Sequence, residues 1–70
     1  MIMKIYKLTW YLAVEERVIE VLITNEETAE SRYRELVQSL NKGCWIGLQE
    51  MVENDEHVLV NGEVLHYKDI

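Results

Sequence analysis

From Ile2 to Val14 the even positions Ile2, Lys4, Tyr6, Leu8, Trp10, Leu12 and Val14 are apolar but for one lysine, while Lys7 and Thr9 interrupt the odd ones. A period of two predicts a strand. From Arg17 to Thr24 the alternation persists but both sides are greasy, with Ile19, Val21 and Ile23 on one and Val18, Glu20 and Leu22 on the other. Such a segment reads as an interior strand. The charged stretch Ala13 to Glu16 carries neither Gly nor Asn and predicts a corner of undefined turn type between the two.

The period then changes. Ala29, Tyr33, Leu36, Val37 and Leu40 recur at helical spacing and form one apolar stripe. Thr24 with Glu27 matches a capping box and Asn25 is a rival cap, while Glu26, Glu27 and Glu30 suit the positive end of the helix dipole. Asn41-Lys42-Gly43 predicts the stop, with Gly43 in a left-handed cap and a helix of about sixteen residues. Alternation resumes at Cys44 to Val52, with Cys44, Ile46, Leu48 and Val52 on one side and Trp45, Gly47, Gln49 and Met51 on the other; Gly47 could mark a bulge or a close backbone approach. Glu53-Asn54-Asp55-Glu56 predicts a polar turn, after which the runs His57–Val60 and Glu63–Tyr67 flank Asn61-Gly62, which predicts a tight hairpin. The expectation is an α+β domain over residues 1–70, with a mainly antiparallel five-stranded sheet in the chain order β-β-α-β-β-β and one helix on one face.

In that hairpin His57 stands opposite His66, a spacing compatible with a shared metal ion or a proton switch. Two ligands fall short of the four of a structural zinc site, and two solvated edge histidines explain the pair more simply. Cys44 is the only cysteine and cannot form an intramolecular bridge, so it reads as a small hydrophobe at a strand start. The glycines are isolated, no nucleophile elbow, phosphate loop or calcium loop is present, and the carboxylates lie near element ends where solvation accounts for them. Neither a catalytic residue nor a cofactor is expected, and the chain reads as a non-enzyme.

The 70 residues carry 13 acidic and 7 basic side chains, a net charge of −6 that repels nucleic-acid backbones. Lys4 and Lys7 precede the apolar run Leu8 to Val14, yet Thr9 and Tyr11 interrupt it, charges follow at once and no small-residue cleavage site appears, so no export signal is expected. No segment approaches the ~20 apolar residues of a membrane span, which makes the cytoplasm the expected compartment.

A lone helix covers one side of a sheet. Tyr11, Val18, Leu22 and Trp45 on the other side are therefore candidate interface residues. These features give the expectation of a small acidic protein-interaction module, in the general style of bacterial or phage inhibitors and accessory proteins, that binds another protein and forms a homodimer. The alternatives are single-stranded nucleic-acid binding by the sheet aromatics and a His57/His66 metal or pH sensor.

Overall fold

A computed structural model describes residues 4–70; Ile2, expected to open the first strand, lies outside them. The elements are β1 (Lys4–Leu12), β2 (Arg17–Ile23), α1 (Glu26–Ser39), β3 (Trp45–Glu53) and β4 (Leu59–Asp69). Among the described residues the sheet has four strands, all antiparallel, in the order β2-β1-β3-β4. The α+β class stands. The fifth strand does not, because β4 runs straight through Asn61 and Gly62.

After β3 the chain reverses only at the expected polar turn that follows Glu53, between β3 and β4. The Asn54 N–H donates to the Val58 carbonyl (2.9 Å), and Asn54 Oδ1 accepts from the N–H groups of Glu56 (2.9 Å) and Val58 (3.1 Å). His57 takes the left-handed φ of 63° that closes the loop. An asparagine side chain that satisfies two backbone donors makes a self-contained turn, and it leaves no second reversal for Asn61-Gly62 to perform. Gly62 instead serves a β-bulge: Met51 pairs with Asn61 and Gln49 with Val64, so Gly62 and Glu63 together face Glu50. A Cβ at Gly62 would stand 2.9 Å from the Glu50 carbonyl oxygen, which explains the glycine there. A second irregularity leaves Leu65 without a partner between Val64 and His66. Of the two readings of Gly47 the bulge is absent, since β1 pairs with β3 there without a shift, and close approach is what remains: a Cβ there would lie 3.5 Å from the Tyr67 ring and 3.7 Å from the His66 carbonyl oxygen.

The rival cap starts the helix. Asn25 Oδ1 accepts from the Thr28 N–H at 3.0 Å, in place of a Thr24–Glu27 box, with Glu26 and Glu27 in the first turn. The helix has 14 residues and ends at Leu40 in extended conformation, so Gly43, at φ 98°, serves the turn into β3 rather than the cap. The predicted stripe does face the sheet. Ala29, fully buried, joins Tyr6, Leu8, Ile46 and Leu48 in the core, with Tyr33, Leu36, Val37 and Leu40 packed around them.

The core thus sits over the two middle strands, and α1 packs chiefly on β3 and β1 and less on the edge strands β2 and β4. β2 itself is an edge strand, contrary to the interior position its two apolar sides predict. Among the described residues no helix is long and apolar enough to cross a membrane.

Candidate functional site

Register decides which side chains share the face that α1 leaves bare. Tyr11 lies opposite Val18 and Trp45, Thr9 opposite Glu20 and Gly47, and Lys7 opposite Leu22 and Gln49. On β4, Tyr67 lies opposite Gly47 and Val64 opposite Gln49. Directly paired residues project to the same side of a sheet, and Tyr6, Leu8 and Trp10 face α1. The open face therefore carries Tyr11, Val18, Leu22 and Trp45 together, the four positions expected there, and adds Val64 and Tyr67.

Those two were missed for a physical reason. The bulge and the unpaired Leu65 break the alternation of β4, so Val64 and Tyr67 share a face although three residues apart. The signal that could have found them is Gly47: a bare position in a central strand invites a cross-strand ring to lie over it, and the Tyr67 ring is what a Cβ there would touch, at 3.5 Å.

Three rings form a row across the sheet. Tyr11 and Trp45 have centroids 6.3 Å apart and planes at 13°, and Trp45 and Tyr67 are also 6.3 Å apart, at 24°. These separations lie within the range of offset stacking, which fixes the rings as a rigid platform. Beside it a shallow hollow of about 200 Å³ opens over Gly47, edged by Lys7, Thr9 and Gln49. Val18 and Leu22 flank the row and are each 54% exposed. At its far end the Tyr67 hydroxyl donates to Asp69 Oδ1 at 3.0 Å, and that bond raises the Tyr67 pKa above the ordinary phenol value.

Charge is scarce on this face. Lys7, Glu20, Glu53 and Asp69 occupy it, whereas Glu26, Glu27, Glu30 and Glu35 lie on α1 and Glu15, Glu16, Asp55 and Glu56 lie in turns. Arg17 and Lys68 fall on the helix side, opposite Leu12 and Ile46.

The histidines do not meet. His57, in the turn, donates from Nδ1 to Glu53 Oε1 at 2.6 Å. His66, opposite Leu48 on the helix side, donates from Nε2 to Glu30 Oε2 at 2.6 Å while its ring stacks on Tyr33, centroids 4.8 Å apart. Loss of the Asn61-Gly62 hairpin removes the pairing that would have opposed them. Among the described residues no three His, Cys, Asp or Glu side chains gather as a metal site. Cys44 is buried with its thiol free.

A second concavity lies on the helix side. Because α1 is offset from β2, a half-open groove of about 490 Å³ runs between them, walled by Leu8, Trp10, Val21, Ile23 and Leu36 and rimmed by Arg32 and Glu35. It exceeds the ~300 Å³ lower bound of small-molecule pockets. Its polar rim holds one acid and one base, with no convergent set of titratable groups.

No family model, no curated protein and no solved structure matches the chain.

Proposed function

We infer that this chain is a non-catalytic protein-interaction module that docks another protein against its open sheet face and acts as an inhibitor or accessory factor of that protein. The row Tyr11–Trp45–Tyr67 carries the reading. Stacked, half-exposed aromatics with few rotatable bonds lose little entropy on binding, and such side chains dominate the energetics of protein interfaces. Val18, Leu22 and Val64 extend the apolar area around them, and a contiguous exposed patch of this kind marks an interaction site more often than bare surface. Lys7, Thr9 and Gln49 supply hydrogen-bonding groups at the rim of the hollow.

The same rings could stack on bases, but a nucleic-acid groove needs cations along the backbone track, and among the described strand residues Lys7 is the one cation on this surface, which also carries Glu20, Glu53 and Asp69. The partner that fits is a protein with an apolar patch bordered by uncharged hydrogen-bonding groups.

The test uses the immobilised chain to isolate its partner and then measures the reconstituted pair by calorimetry. Trp45→Ala and the exposed-site variants Leu22→Asp and Val64→Asp should each weaken the complex by about 30-fold or more, the scale of an interface hot spot, while Glu27→Gln on α1 should bind normally. Unchanged affinity in all three face variants refutes the reading. So does salt-sensitive binding of single-stranded oligonucleotides that quenches Trp45 fluorescence.

A further inference from the structure

Among the described residues the sheet has two edges, and they are finished differently. β4 carries a bulge, an unpaired Leu65 and the charges of Glu63, Lys68 and Asp69, devices that keep an edge from pairing with another chain. β2 has none of these. Its register with β1 runs unbroken from Arg17 to Ile23, it has no proline, and Glu20 is its one interior charge. Neither of its faces is fully covered, with Val18 and Leu22 each 54% exposed on one side and, although Ile23 packs against the core, Val21 39% exposed on the other. A strand whose composition belongs inside a sheet is standing at its rim.

We propose that two copies of this chain pair antiparallel through β2, about a twofold axis at Glu20, to form one continuous sheet of order β4-β3-β1-β2-β2-β1-β3-β4. The strand is self-complementary about that residue. Val18 falls opposite Leu22 of the second copy and Ile19 opposite Val21, so apolar side chains meet on both faces and all seven residues of β2 find a partner. Arg17 falls opposite Ile23 of the copy, beside the start of the copy's helix, where Glu26 and Glu27 lie; this complementary contact occurs twice. The axis places both helices on one side and both aromatic rows on the other, so two docking faces become one. The two grooves beside α1 then abut across the axis and gain each other's β2 as an outer wall.

One term opposes the pairing: the two Glu20 carboxylates stand directly opposite. Lys7, diagonal to Glu20 across β1, offsets this in part. A seven-residue strand pair is smaller than the ~800 Å² per partner of a standard interface, so the dimer should be weak and its population should depend on concentration.

Sedimentation equilibrium of the full chain from about 1 µM to 1 mM reads the association, and amide exchange over the same range reads where it occurs. The expected result is a monomer–dimer equilibrium in which the outward amides of β2 gain protection as the dimer fills. Val21→Lys should weaken it at least tenfold, and Glu20→Gln should tighten it by up to about fivefold by removing the like-charge contact. A monomer at 1 mM overturns the proposal, as does a dimer whose constant Glu20→Gln leaves unchanged, which holds even if Val21→Lys does not fold. A dimer lost in Trp45→Ala but kept in Val21→Lys places the contact on the open face and also overturns it. The edge and the open face share Val18 and Leu22, but Trp45 and Val64 lie off the edge and Val21 lies on the helix side of β2, so Trp45→Ala and Val64→Asp read partner docking while Val21→Lys reads self-pairing, and the two can fail independently.

Discussion

At the residue scale, three titrating groups are held in their protonated forms by particular neighbours. Tyr67 is raised first by its hydrogen bond to Asp69, Tyr33 first by desolvation with the nearby Glu30 adding to it, and Lys4 first by its hydrogen bond to Glu50, at 3.3 Å. A pKa raised on folding means that the native state holds the proton more tightly than the unfolded chain. The stabilisation is therefore complete below the ordinary values, 10.0 for the phenols and 10.5 for the lysine, and is lost as pH climbs through the raised ones. The protein should weaken on the alkaline side of about pH 10. Ultraviolet titration of the four tyrosines checks the cause at Tyr67. Asp69→Ala should move the transition that Tyr67→Phe abolishes back toward 10.0, and an unmoved curve would disprove the assignment.

At the element scale, of the two turns that the sequence predicts after β3, the one at Asn54 forms and the one with the stronger dipeptide signal does not. Asn61-Gly62 has the dipeptide of a tight hairpin, but a turn there would divide β4 into two short strands and forgo the long pairing with β3. Asn54 permits that pairing and satisfies two backbone donors with one side-chain oxygen. Asn54→Ala should therefore cost about 1–2 kcal/mol, two modest hydrogen bonds, lowering the melting temperature by roughly 4–16 °C in a chain of this size. Asn61→Ala, in an exposed strand position, should change stability by less than ~0.5 kcal/mol. Thermal unfolding of the pair decides it, and equal losses would mean that the reversal is misassigned.

At the scale of the whole molecule, the helix with its acidic cluster Glu26, Glu27, Glu30 and Glu35 is on one side of the sheet and the aromatic row is on the other. The layers span 40 × 22 × 15 Å, thin enough that the sheet can be dry on one face only. Stability should be distributed accordingly. In dilute solution, where β2 is unpaired, amides of β1 and β3 around Leu8, Ile46 and Leu48 should exchange slowest and those along the outer edge of β2 among the fastest in the sheet. Comparable protection in β2 and β3 under those conditions would contradict this ordering.

Local periodicity by itself determined the element types, the buried stripe Ala29–Leu40 and the side of its strand on which each of Tyr11, Val18, Leu22 and Trp45 lies. Each depends on side-chain spacing along a single segment. Only tertiary structure decided that β2 is a rim strand, that β4 continues past Gly62, that Val64 and Tyr67 join the bare face and that His66 meets Glu30 rather than His57. Those outcomes depend on which strands pair and in what register, a competition between distant segments whose energies no single stretch of chain records.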